Sequence, residues 1–582
     1  MALIVHVESG VDEPVRMDNK SRYESCFRTS KTAVQNKPAL NWDLLLQVLQ
    51  HTDSKADVSR FIRTCRTLHR SGMAVLLADV WLRFDELQNV LRFCKFILES
   101  PQRSSLVRHI MFECELRLDD EEESYDEEEE VDDDDDHSDE DTGREKKQRG
   151  TERRDNDEDN DEDNEPGDEM HNASILGRAL RSCANLRSLA ILNLESFLEY
   201  DALESAVLSL KNLEKIEFWM AGHRALDVVP RMQSPVNSAK ILFYDDEYIR
   251  IDRSAFGPIP LLRTFAPHLK TIKCRDIGSL VSHPSVRYDH VQTFKMELDK
   301  IEFDSVVFSE TFPSLQQLIW KGIGPDSGAD WPNTFRRKNL RLQASSSRAH
   351  SWNPLHHLRA SIYDAYSMAL SCKVSLWDHA RLRNTSFVPP FRTVLNDIRP
   401  TSLNVYVTVR HFTMQHLSDI FPQCGIENLW LVLDISGCGP NQPIPDIITS
   451  AFKGLGRLSL KYAVIKVVCG SADDRHPAFA PYASIKGGKH APANDHVSPL
   501  LNRSLRILKE ERYATLLLPF APQLENLCLC LGTRDGGRNS CWRVVQADNG
   551  ARSVERITES AECRRIVARG PFDSLAQSSV SF

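Results

Sequence analysis

The side chains able to do chemistry are scattered along this chain, and their spacings fit no catalytic template. His476, His490 and His496 share one stretch with Asp473, Asp474 and Asp495, a donor set that could hold a cation, but the spacing matches no structural zinc pattern and reads as loop composition. His356 and His357 are read the same way. The sequence contains no strand-linked Gly-x-Gly-x-x-Gly, no Walker phosphate loop, no Gly-x-Ser-x-Gly elbow and no His-Glu-x-x-His helix. Gly454-Leu455-Gly456 is a fragment better suited to a turn. The 14 cysteines include no Cys-x-x-Cys pair, so they read as reduced, mostly buried thiols, and Cys528 and Cys530 alternate on one side of an apparent strand. The expectation is a binding protein, not an enzyme, with no cofactor and no metal.

Charge is distributed more informatively. The 582 residues carry a net charge of -11, yet 119–170 alone holds 30 Asp or Glu against 6 Lys or Arg, which leaves the rest of the chain net basic. Such a segment buries too little apolar surface to offset its ordering entropy, so it is expected to be a disordered insertion. Expanding a short connection to about fifty residues costs only about 2 kcal/mol of loop-closure entropy. Lys146-Lys147 with Arg153-Arg154 has the form of a split nuclear import signal inside that insertion. Arg336, Arg337, Lys338 and Arg341 form a second basic run, without the interleaved aromatics of a nucleic-acid surface, and read as a solvated edge.

The elements that would position a binding surface begin with a helical hairpin. Leu44, Leu45, Val48 and Leu49 recur at a helical period, and Val58, Phe61, Ile62, Cys65 and Leu68 set a second one over 57–69. Asn41 is placed to cap the first helix, with Asp43 in its first turn. Beyond the hairpin, Val80, Leu82 and Phe84 alternate as a strand, Leu87, Val90, Leu91, Cys94, Ile97 and Leu98 follow a helical period, and Val107, Ile110 and Phe112 return to a strand. This starts an alternating α/β array, which resumes after the insertion with a helix around 174–183.

These hairpin residues resemble the F-box family in the variant common in fungal proteins. Leu40 stands at that pattern's Leu position, Asp43 at its acidic one, Val48 and Leu49 at its apolar pair, Asp57-Val58 at its acidic-apolar pair, and Thr64-Cys65-Arg66-Thr67-Leu68 at its closing run. Asn41 replaces the usual Pro, and Thr52 falls where Leu is common. The resemblance implies a partner-binding set for a Skp-type adaptor, made of Leu40, Leu44, Leu45, Val48, Leu49, Val58, Phe61, Ile62, Cys65 and Leu68.

A short phrase, apolar-x-x-apolar-x-apolar, then recurs from Leu186, Leu213, Leu269, Val291, Leu315, Ile426, Leu455 and Leu524. Intervals of 27, 22 and 24 residues, such as Leu186 to Leu213, Leu269 to Val291 and Val291 to Leu315, lie in the leucine-rich-repeat range. Ala266-Pro267, Phe312-Pro313 and Ala521-Pro522 give several copies a common lead. The phrase is blurred between Lys321 and Ser402, although Val405, Val407 and Val409 alternate as a strand. The array resembles degenerate leucine-rich repeats, with the x positions exposed on a concave sheet.

The expected fold class is α/β, with a short N-terminal helical F-box-like hairpin followed by an irregular leucine-rich-repeat solenoid that carries a disordered acidic insertion. The expected divisions are a disordered lead-in at 1–36, the F-box-like domain at 37–79, the start of the repeat domain at 80–118, the insertion at 119–170, the repeat domain at 171–545 and a C-terminal tail at 546–582. A surface loop is expected at 470–499 and an amphipathic helix at 553–566. No apolar run is long enough to span a membrane, and the N-terminus lacks the basic start of a signal peptide, so a cytoplasmic or nuclear location is expected. The resemblance implies a substrate-recognition subunit of a Skp-cullin-F-box ubiquitin ligase, with the cullin complex and an unknown protein target as further partners and no role for membrane or nucleic acid. The alternative is a repeat scaffold whose acidic loop binds basic proteins such as histones.

Overall fold

The computed structural model describes residues 45, 48, 55–64, 66–78, 82–84, 87–113, 167–243, 258–275, 286–297, 304–321, 330–345, 352–439, 443–469, 505, 507–533, 536–559 and 561–563. The lead-in at 1–36, residues 119–166 of the insertion and the loop at 470–499 lie outside them. The described residues form a mixed α/β protein built on a large, mostly parallel sheet. They fall into two compact units, one running to Leu186 with Ile191–Leu210, the other comprising Arg187–Ala190 and Lys211–Phe582.

In the first unit, helices α1 (Lys55–Ile62) and α2 (Arg66–Ala78) pack together. Val58 and Ile62 form their core, with Phe61, Met73, Val75 and Leu76 against it. The expectation of one helix over 57–69 is corrected. The chain leaves α1 after Ile62, where the Arg63 and Thr64 N–H groups bond back to the Arg60 and Phe61 carbonyls, and the Thr64 hydroxyl donates to Phe61 O at 2.7 Å. These three-residue bonds tighten the last turn and consume carbonyls that a continuing helix would need.

Strands β1 (Leu82–Phe84) and β2 (His109–Phe112) then pair in parallel across helix α3 (Leu87–Leu98). The strand, helix, strand reading holds, and Val90, Cys94, Ile97, Val107, Ile110 and Phe112 are buried where the two periods put them. Helix α4 (Gly167–Ser182) is longer than the sequence suggested and begins inside the stretch assigned to the insertion. Its first turn is tied down because Tyr200 donates its hydroxyl to Glu169 at 2.8 Å. Farther along, a Cβ on Gly177 would stand 2.6 Å from the Ala202 carbonyl, so glycine is what lets α4 lie against the helix Asp201–Ser209.

In the second unit the strands are β3 (Ser188–Ile191), β4 (Lys215–Ala221), β5 (Ser238–Phe243), β6 (Thr271–Arg275), β7 (Thr293–Glu297), β8 (Gln317–Lys321), β9 (Leu355–Arg359), β10 (Val374–Leu382), β11 (Ser402–Thr408), β12 (Asn428–Asp434), β13 (Tyr462–Cys469), β14 (Asn526–Thr533), β15 (Gly536–Gln546) and β16 (Arg552–Ile557). They lie side by side in chain order. From β4 to β14 each neighbouring pair is parallel, and β14, β15 and β16 close the sheet antiparallel. Parallel neighbours need a crossover at every step, and the connections accordingly carry helices such as α5 (Ser305–Thr311), α6 (Trp331–Ser345), α7 (Ile362–Met368), α8 (Val388–Ile398) and α9 (Ile444–Leu455).

The recurring phrase marks the buried side of these strands. Leu213, Ile216 and Phe218 are fully buried, as are Leu269, Ile272 and Cys274, and Val291, Phe294 and Met296. Register locates copies that the sequence hid, namely Val236, Ala239 and Ile241, which lead into and lie on β5, and Leu355, Leu358 and Ala360 at β9. The copy read from Leu455 is corrected. Leu455 ends α9, Leu458 makes an isolated bridge to Cys424, and the buried anchors are Leu460, just before β13, with Ala463 and Ile465 on it. The helix expected at 553–566 is likewise corrected, since Arg552–Ile557 is strand β16, paired with β15.

Aromatic rings fill the space between strands and returning helices. Phe308 on α5 lies 5.0 Å from Phe294, 4.8 Å from Phe312 and 5.6 Å from Trp352, ring centre to ring centre. Trp377 on β10 meets Phe391 on α8 at 5.6 Å and donates its indole N–H to Ala360 O at 3.2 Å.

Candidate functional site

Because strand side chains alternate, burying the anchors leaves the intervening residues on the opposite face of the sheet. Register lines these up in rows. One row runs Lys215, Ser238, Thr271, Thr293, Gln317 and His357; the next runs Glu217, Lys240, Lys273, Lys295, Ile319 and Arg359. The x positions of the phrase therefore form a broad polar surface with its own charge pattern.

At β9 to β12 that surface becomes a connected polar cluster. Asp378 is 5 % exposed and accepts a hydrogen bond from Asn404 Nδ2 at 2.8 Å. His357 Nε2 stands 3.7 Å and Arg359 Nε 3.8 Å from its other oxygen. At 3.7 Å the carboxylate acts on the imidazole as a charge, not as a hydrogen-bond acceptor, and Nε2 of His357 is buried with no hydrogen-bond partner among the described residues. Burial pushes the Asp378 carboxyl up, but His357, the Arg359 charge and the Asn404 hydrogen bond outweigh it and hold it below its ordinary value. Asp378 is thus a fixed negative charge that holds Arg359 and His357 beside it.

Backbone geometry helps to aim this cluster. Register shifts between Trp377 and Ala380, and His379 within that bulge has φ 75°, the left-handed region that non-glycine residues enter only when their surroundings hold them there. Next along the face, Tyr406 donates its hydroxyl to Asp434 at 2.5 Å, Asp434 also accepts from Ser436 N at 2.9 Å, and the Arg381 guanidinium lies over the Tyr406 ring. These charges and donors are organised by one another, an arrangement suited to recognising a polar partner.

The hairpin residues divide by burial. Val58, Ile62 and Leu68 are buried, Leu45 and Phe61 are half-buried, and Val48, which is helical, is 56 % exposed. Leu40, Leu44, Leu49 and Cys65 lie outside the described residues. The sequence reading missed Met73, Val75 and Leu76, which complete the core of α1 and α2; their signal was the apolar period continuing past His69.

Other singled-out residues have structural uses. Arg336 is 12 % exposed in its side chain, pairs with Asp397 at 2.8 Å and stacks on Tyr366, so the basic run on α6 is not wholly the solvated edge that was expected. A Cβ on Gly454 would come within 2.7 Å of Leu417 O, which makes the glycine there a close-approach position. Cys528 and Cys541 face each other across β14 and β15 and join Trp430, Val464 and Cys563 in an apolar cluster. Burial pushes the Cys530 and Cys563 thiols up to about 12, which keeps them protonated. Among the described residues no group of three or more His, Cys, Asp or Glu could hold a metal ion, and no helix is long and apolar enough to cross a membrane.

No protein-family model matches the chain, and comparison with curated proteins returns no match. The family resemblance therefore rests on the hairpin residues and the repeat phrase themselves.

Proposed function

We propose that the chain is the substrate-recognition subunit of a Skp-cullin-F-box-type ubiquitin ligase, with its N-terminal helices docking a Skp-type adaptor and an irregular leucine-rich-repeat solenoid presenting its sheet face to the target. In this reading the chain performs no chemistry of its own and acts by placement. The observation that carries it is the division within the hairpin: Val58, Ile62 and Leu68 are buried, while Val48 is exposed and Leu45 and Phe61 are half-buried. Leu-sized side chains removed from water by a partner contribute roughly 1.5 to 3 kcal/mol each, enough for a few to support docking. The strand order supports the solenoid part, since from β4 to β14 each strand lies beside its predecessor in parallel, and several of these strands carry the same anchor phrase.

Val48→Asp and Leu45→Asp should each weaken capture of a purified Skp-type adaptor by the full-length chain by roughly thirtyfold or more, because the partner would have to bury an unpaired charge. Their urea unfolding midpoints should stay near that of the wild type. Failure of the wild type to retain adaptor on a pull-down, or equal retention by Val48→Asp, would sink the reading.

A further inference from the structure

The outward row on β5, β6 and β7 is a ladder of one charge. Lys240 pairs with Lys273 and Lys273 with Lys295, residue opposite residue, so three ammonium groups are carried on neighbouring strands about 4.8 Å apart. Like charges set opposite one another across strands are destabilising, and all three side chains are half-buried, where water screens them less. Glu217, the carboxylate next to Lys240 in the same row, is held along its own strand by Lys215 at 2.6 Å. The ammonium of Lys273, in the middle, makes no hydrogen bond or ion pair among the described residues. Lys240 is fixed by the Trp219 ring, its Nζ 3.6 Å from the ring centre. Beside the ladder run the hydroxyls of Ser238, Thr271 and Thr293, and beyond Ile319 the row passes to Arg359 and then to the buried Asp378 that neighbours it.

We propose that this ladder binds an extended Asp/Glu-rich segment of a partner protein, so that the target selected by the sheet face is one that displays an acidic stretch. The inference builds on the reading of that face as the target-binding surface. Charge complementarity argues for the occupant, since compact lysine ammoniums flanked by hydroxyls suit carboxylates and backbone amides. A nucleic acid fits less well. Its non-specific binding gains from bases stacked on aromatic rings, and Lys240 already covers a face of Trp219, the ring beside the ladder.

The test is fluorescence anisotropy on the full-length chain, with three probes: a labelled Asp/Glu-rich peptide, the same peptide with Asn and Gln in place of its acids, and a single-stranded oligonucleotide of equal charge. The acidic peptide should bind, the neutral one should not, and the oligonucleotide should bind more weakly than the acidic peptide. A combined Lys240→Gln, Lys273→Gln and Lys295→Gln variant should lose roughly tenfold or more in peptide affinity, and the matching Lys→Arg variant should keep it. Loss in the Gln variant should leave adaptor capture intact, whereas Val48→Asp should lose the adaptor and keep the peptide, so the two proposals fail separately. The assignment is overturned if the wild type ignores the acidic peptide, if the Gln variant binds it equally well, or if the oligonucleotide binds at least as tightly. It is also overturned if peptide binds only after 119–166 is deleted, which would give the ladder to the chain's own acidic stretch.

Discussion

Asp378→Ala should destabilise the second unit by about 3–5 kcal/mol, the range seen when one partner of a buried charge cluster is removed and the others stay behind. Asp378 is 5 % exposed, and its loss removes the charge around which Arg359, His357 and the Asn404 amide are gathered. Asp378→Asn keeps the shape and removes the charge, so its cost should be smaller and should depend on pH. In the folded chain the carboxyl is held below its ordinary value of 3.8, so between the two values the unfolded chain binds more protons than the folded one. The stabilisation is therefore complete above the ordinary value and disappears as pH falls through the folded one. Urea unfolding of wild type and Asp378→Asn should show the gap in stability at its full size near neutral pH and a shrinking gap as pH drops below about 4. A gap independent of pH across that window would mean that the charge does not organise the cluster.

Phe308→Ala should cost a similar amount, about 3–5 kcal/mol, for a different reason. Phe308 is 1 % exposed and touches Phe294, Phe312, Trp320 and Trp352, rings from two strands, the segment after its own helix and the stretch before β9. Rigid strands on one side leave the site little freedom to collapse, so most of the lost volume should persist as a cavity. Trp320 and Trp352, two of the nine tryptophans, sit in the same cluster, so their share of the emission reports on it. A lower urea midpoint read by tryptophan emission is expected, with Phe308→Leu falling between the variant and the wild type.

These two sites differ in how far the sequence announced them. The aromatic core was half legible: Val291, Phe294 and Met296 repeat the anchor phrase, and any strand packed on helices must keep those positions apolar whatever its partners are. Phe308, on the connection between strands, carried no such periodic mark. The Asp378 cluster was not legible at all. His357, Arg359, Asp378 and Asn404 come from three strands separated by helices, and only parallel register brings them together. His357 was singled out merely as half of a His pair.

The same physics explains the misplaced elements. Leu455, Leu458 and Leu460 imitate the anchor phrase because a helix end, a bridge and a strand lead happen to contribute one Leu each. Ala239 and Ala360 hid real copies, since a small side chain satisfies a tight anchor position without standing out in a hydropathy pattern. The end of α1 was missed because it is set by backbone bonds at Arg63 and Thr64, while the apolar period carries on through Leu68. The lysine ladder had the least sequence signal, as Lys240, Lys273 and Lys295 are single residues in separate phrases until the strands are laid side by side.

The proposed function assigns adaptor binding to the N-terminal helical segment and target binding to the sheet face. Amide hydrogen exchange of the full-length chain, with and without a purified Skp-type adaptor, tests that claim most directly. Added adaptor should slow exchange in peptides covering 40–64 and leave peptides covering β5 to β11 unchanged. Protection that is absent from 40–64, or that falls on the sheet strands instead, would contradict it.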